Sequence, residues 1–130
     1  MPSSNNVVSI WFGSASSEAE YLEALDVSFS DDGDFLGSPL SNAIGVGYYE
    51  DSTREALYRV PGTYATEELL DGVSYQDEIL QALAEEHSPA EEENCALLLY
   101  NYRFDGPIAP AASDGVTMRF VASVTYRHRG

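Results

Sequence analysis

A chain of 130 residues with 22 acids, 6 arginines and no lysine carries a formal net charge of −16, which sets it against nucleic acid and anionic membrane surfaces as partners. Its 44% hydrophobic content, with 9 Tyr and 5 Phe, argues against an acidic disordered segment, and the length suits one core, so a single domain over residues 1–130 is expected. The lone Cys95 rules out an intramolecular disulfide and a cysteine metal cluster within one chain.

The acid is concentrated: residues 1–100 hold 20 Asp and Glu against 2 Arg, and residues 101–130 hold 2 against 4. A field of that sign accelerates encounter with a basic protein, although acidity also serves as a plain solubility device. Met1 to Asn6 lack the charge and apolar core of a secretory signal, and the longest apolar run, Cys95 to Tyr100, is far too short to cross a bilayer. A soluble cytoplasmic protein is the expectation.

In chain order, Val7 to Gly13 is apolar at both strand parities, Val8, Ile10 and Phe12 on one side and Val7, Ser9 and Trp11 on the other, which predicts an interior strand. Ser17 with Glu20 three residues on has capping-box spacing, and Tyr21, Leu22 and Leu25 make an apolar stripe, predicting a helix over 18–26. Val27-Ser28-Phe29, the turn Asp31-Asp32-Gly33-Asp34, and Phe35-Leu36 predict a small hairpin with an acidic tip. Ser38-Pro39 and Gly45 bracket one or two helical turns. Tyr48-Tyr49-Glu50-Asp51 then sets two aromatics beside two acids, and 55–60 reads as strand or irregular.

Thr66 is the expected cap of a brief helix from Glu67 to Asp71, ended by Gly72. Ser74 is the expected start of the longest helix, with Tyr75, Ile79, Leu80 and Leu83 inward and Ser88-Pro89 as its stop. Cys95 to Phe104 reads as a second interior strand. Asp105 to Gly115 reads as a loop, and Val116 to Arg127 alternates so cleanly that one buried and one solvated face are expected. The sum is an α+β fold, a mostly antiparallel sheet with helices packed on one face. The second apolar face of Val7 to Gly13 still needs a cover, either the small helices near Ser38 and Thr66 or a docked partner.

No nucleophile elbow, zinc-protease helix or phosphate loop occurs, and Gly45-Val46-Gly47 lacks the third glycine of a dinucleotide site. His87 and His128 are the only near-neutral bases. Cys95 opens an apolar strand with no neighbouring cation in sequence, which marks a structural thiol. Ser28 to Pro39 has the wrong first and last residues for a calcium loop. No catalytic residue, metal site or cofactor is therefore assigned, and the chain reads as a non-enzyme. Two segments stand out as partner-binding candidates: Asp31, Asp32 and Asp34 at the hairpin tip, and Tyr48, Tyr49, Glu50 and Asp51, whose rings supply anchoring area and whose acids supply charge complementarity.

The order Val8-Ser9-Ile10-Trp11-Phe12-Gly13, Ser38 to Gly45 with Tyr48-Tyr49-Glu50-Asp51, Glu68-Leu69-Leu70 with Ser74-Tyr75, Leu97 to Tyr102, and Arg119 to Val124 resembles the immunity protein 22 family across nearly the whole chain. Here Ser52 and Thr53 depart from the acidic and aromatic residues of the family pattern. The resemblance implies an inhibitor, from a bacterial polymorphic-toxin system, that protects the producing cell from a cognate toxin domain. Joined to the charge, it implies a basic, nuclease-type toxin whose cleft is occluded by an acidic surface; the competing reading is an acidic adaptor or scaffold with no toxin partner.

Overall fold

The computed structural model describes residues 7–46, 54–83, 89, 92–104, 111–113 and 115–126. In order these form β1 (Val7–Ala15), α1 (Glu18–Leu25), β2 (Ser28–Phe29), β3 (Phe35–Gly37), α2 (Pro39–Ile44), β4 (Arg54–Tyr58), α3 (Thr66–Leu69), α4 (Gln76–Leu83), β5 (Cys95–Tyr100), β6 (Ala111–Ser113) and β7 (Val116–Thr125). A five-stranded sheet runs β4-β5-β1-β7-β6, every neighbouring pair antiparallel, and β2 and β3 form a separate ribbon.

β1 occupies the middle of the sheet, as its two apolar faces require. Trp11 and Ala15 meet Tyr21, Ala24 and Leu25 of α1 and Leu40 and Ile44 of α2. On the opposite face Val8, Ile10 and Phe12 meet Leu69 of α3, Leu70, and Ile79 and Leu83 of α4. The α+β class and antiparallel sheet hold. The helices divide between both faces, where one face was expected, and each pair supplies the apolar stripe that one side of β1 needs.

Thr117 and Thr125 of the expected solvated face are exposed, but a bulge between them breaks the division of the last strand into one buried and one solvated face. Ile10 pairs with Ala122 while Trp11 pairs with Phe120, so Val121 is left opposite no residue of β1 and the alternation inverts there. Val116, Met118 and Phe120 consequently serve the core around Trp11, whereas Val121, Ala122 and Val124 serve the core around Ile10. A single strand thus contributes to both cores. Gly13 has no room for a side chain against β7: a Cβ there would sit 2.0 Å from the Thr117 carbonyl oxygen and 2.2 Å from Met118 Sδ.

Local signals set most boundaries. Ser17 Oγ caps α1 by accepting from Glu20 N at 3.2 Å, while the Glu20 carboxylate takes the Ser16 hydroxyl instead of closing the box. α2 has a reciprocal cap between Ser38 and Ser41, Pro39 in its first turn and Gly45 at φ 81°. α3 starts one residue before the expected point and ends at Leu69; Ala65 stands at its cap, and the Glu68 carboxylate accepts from Ala65 N at 2.9 Å. α4 begins at Gln76, two residues after the expected Ser74, because Tyr75 adopts φ 59° and is held by ring contacts to Tyr126 at 4.4 Å and Tyr100 at 6.4 Å.

β5 stops at Tyr100 because Asn101, at φ 61°, turns the chain, so the strand expected to reach Phe104 is shorter. The segment folds back over the sheet through Ser9. Ser9 Oγ donates to the Tyr102 carbonyl at 2.6 Å, accepts from Phe104 N at 2.9 Å and lies 2.8 Å from Ser123 Oγ. With its own proton on Tyr102, the Ser9 oxygen takes the Ser123 proton, so a buried hydroxyl on the central strand is fully used. The stretch expected as a loop before β7 also contributes β6, which hairpins onto it through Gly115 at φ 85°.

Candidate functional site

The β2–β3 ribbon is built by its turn. Gly33 N donates to the Ser30 carbonyl at 2.9 Å, Ser30 N to the Asp34 carbonyl at 2.9 Å, and Asp34 N to Ser30 Oγ at 3.0 Å, with Gly33 at φ 88°. This is the three-residue hairpin whose left-handed position favours glycine. It projects Asp31, Asp32 and Asp34 into solvent, all three exposed. Residues 26–45 contain four aspartates and no basic side chain, so nothing on the ribbon itself neutralises them.

The base of the ribbon is fixed. Phe35 packs against the core around Trp11, Asn42 Nδ2 of α2 donates to the Leu36 carbonyl at 3.2 Å, and Gly37 at φ 77° turns the chain directly into the capped helix. The pairing of Ser28 with Gly37 and of Phe29 with Phe35 leaves Leu36 as a bulge without a cross-strand neighbour. Phe29 is 60% exposed and Leu36 51% exposed, and the Phe29 ring stands edge-on to Phe35 at 5.9 Å. Neither is among the sequence candidates. Strand alternation alone does not mark them: Phe29 pairs with Phe35 and shares its face, yet only Phe35 reaches the core.

Of the candidate residues, the structure therefore brings Asp31, Asp32 and Asp34 together on one turn. Tyr48, Tyr49, Glu50 and Asp51 lie outside the described residues, as do His87 and His128.

The remaining polar clusters have structural work. Arg119 forks onto Glu93 with Nε to Oε2 and an Nη2 to Oε1 contact, both 2.8 Å, and its guanidinium lies 5.7 Å from the Phe12 ring centre. Asn94, 1% exposed, accepts from Ala15 N at 2.9 Å and donates to the carbonyls of Ala15 and Arg59, each at 2.9 Å, locking the start of β5 to the ends of β1 and β4. Glu55 receives Ser74 N and Oγ and the Tyr100 hydroxyl at 2.7–3.0 Å, tying β4 to the turn before α4. A cleft of about 370 Å³ near Ser14, Glu92, Asn94 and Thr117 has hydroxyls and one carboxylate, and no histidine, among its described lining residues. Among the described residues no group of three or more His, Cys, Asp or Glu is arranged to hold a metal ion.

Cys95 is buried with its sulfur 3.8 Å from Met118 Sδ, and burial first, then the Glu93 charge, pushes its thiol from 9.0 up to about 12. It is a protonated core group at neutral pH and no nucleophile. Burial also raises the Tyr21 hydroxyl, and burial followed by its hydrogen bond to Glu55 raises Tyr100, both from 10.0. Acids that hold their protons more tightly when folded contribute stability that is complete below the unfolded value and lost as pH climbs toward the folded one. The urea unfolding midpoint is therefore expected to fall as pH rises from 9 to 12. Cys95→Ala should move the onset of that fall to near 10, where the tyrosines begin; an unchanged onset would show that the thiol plays no part.

The fold and its surface define a small antiparallel α+β protein with a projecting acidic ribbon, and among the described residues no helix is long and apolar enough to cross a membrane. The family model described as Immunity protein 22 matches residues 8–127, and the chain belongs to that family. Membership brings a role in immunity against toxins, in a family that is in general non-catalytic. No curated protein and no solved structure matches the chain.

Proposed function

We propose that the chain is a cytoplasmic immunity protein that neutralises a basic, nuclease-type toxin domain by lodging an acidic surface in its cleft. The observation that carries this reading is the turn at Asp31, Asp32 and Asp34: three exposed carboxylates on a ribbon with no basic side chain, anchored at its base by Phe35 and α2. A nuclease cleft is lined with cations that bind phosphate, and carboxylates held at fixed spacing compete for the same cations. On sequence grounds Tyr48, Tyr49, Glu50 and Asp51 form the second contact segment, pairing aromatic anchors with further charge. The chain acts by occlusion, with no bond made or broken.

The product of the gene immediately upstream of this chain's own provides the test. Expressed alone it should stop growth, and co-expression of the wild-type chain should restore it. The Asp31→Asn, Asp32→Asn, Asp34→Asn triple variant should need a markedly higher expression level for the same rescue. Full rescue by the triple variant at matched expression would remove the hairpin from the contact, and an upstream product that is neither toxic nor bound would favour an acidic adaptor instead.

A further inference from the structure

Among the described residues, the large apolar side chains most open to solvent are Leu22, Phe29, Leu36 and Val60, and two of the four lie in one ribbon beside three acids. Exposed apolar residues scattered singly need no explanation, but these two are held in place. Phe29 leans on Phe35, which the core fixes, and the bulge at Leu36 is tied through its carbonyl to Asn42. Anchors carried on an already fixed backbone lose less freedom on binding, which favours affinity.

We propose that Phe29 and Leu36 are the apolar anchors of the toxin contact, so that the partner presents an apolar pocket rimmed by lysine or arginine. The pocket receives Phe29 and Leu36, and the rim meets Asp31, Asp32 and Asp34. This inference rests on the hairpin being the toxin-facing surface, and charge complementarity identifies the occupant as the basic toxin rather than a second copy of this acidic chain. The two sets of residues divide the labour. Exposed acids govern how fast the partners meet, and desolvated apolar anchors govern how long they stay together.

The test measures association and dissociation rates of the full chain on the upstream-encoded toxin domain carrying a substitution that abolishes its toxicity. Phe29→Ala should speed dissociation roughly 30-fold or more, with Leu36→Ala in the same direction, while association stays within about threefold. Phe29→Leu should recover most of the residence time. Because both side chains are largely exposed, the thermal midpoints of these variants should lie close to that of the wild type, which separates lost contact from lost fold. Dissociation within about twofold of wild type for both alanine variants would overturn the anchors. Slower association in the triple asparagine variant would, in that case, leave the acidic surface standing. Conversely, an unchanged association rate in the triple variant with fast dissociation in Phe29→Ala would sink the electrostatic reading and keep the anchors. A free chain that is dimeric by light scattering and becomes monomeric on Phe29→Ala would assign the patch to self-association and overturn the inference, as would a wild-type chain that fails to bind the toxin domain.

Discussion

Trp11→Ala is expected to destabilise the protein by about 3–5 kcal/mol, roughly a fifth or more of the total for a domain of ordinary stability. Trp11 is 1% exposed on the central strand, with Phe104 edge-on at 5.1 Å and Phe120 at 5.4 Å. Those two rings come from different places, one from the segment that Ser9 pins back over the sheet and one from the last residue of β7 before its bulge. No single neighbour can close the space the indole leaves, so most of the cavity term remains. A thermal midpoint lowered by roughly 10 °C or more is the observable. A loss below about 1 kcal/mol would mean that Phe104 and Phe120 collapse into the gap and that the tryptophan is dispensable to this core.

Asn94→Ala should cost about 3 kcal/mol, a large effect for a side chain with little apolar surface. Its amide satisfies the Ala15 N–H, the Ala15 carbonyl and the Arg59 carbonyl at once, and removing it orphans all three. Each unsatisfied buried backbone group costs about 1–3 kcal/mol, with the lower end applying here because Asn94 borders a cleft from which water can enter. Hydrogen exchange gives the specific readout: the Ala15 amide should lose its protection, while amides at the Ile10–Leu98 pairing in mid-sheet keep theirs. Unchanged protection at Ala15 would show that another acceptor replaces the Asn94 oxygen.

The same residues show how far the sequence could be read. β1 was legible because apolar side chains at both parities allow only an interior position, and α1, α2 and the hairpin were legible because Ser17, Ser38, Pro39, Gly33 and Gly45 are chemical signals acting over four residues. The bulge at Val121 was not, since regular alternation from Val116 to Tyr126 gives no local sign that the strand changes faces midway; only its register against Ile10 and Trp11 shows it. Asn101 and Tyr75 escaped for a related reason, because positive φ at a non-glycine residue is imposed by tertiary contacts. At the candidate surface the charge of Asp31, Asp32 and Asp34 was visible in composition. The exposure of Phe29 and Leu36 was not, because the strand pattern that packs Phe35 partly against the core looks the same as the one that leaves Phe29 in water.

On the proposed reading, the acid of the hairpin acts through association rate more than through stability. Asp31, Asp32 and Asp34 are exposed at the tip of a ribbon, and changing them to asparagine leaves the turn-forming backbone bonds of Ser30, Gly33 and Asp34 available. The most direct measurement is the association rate of the wild-type chain and of the triple asparagine variant with the inactivated toxin domain, followed across ionic strength. The wild-type rate should fall steeply as salt rises; the variant should start roughly tenfold lower at low salt, depend on salt more weakly, and meet the wild type at high salt. Two curves that superimpose at every ionic strength would contradict an acidic hairpin that steers this protein onto a basic toxin.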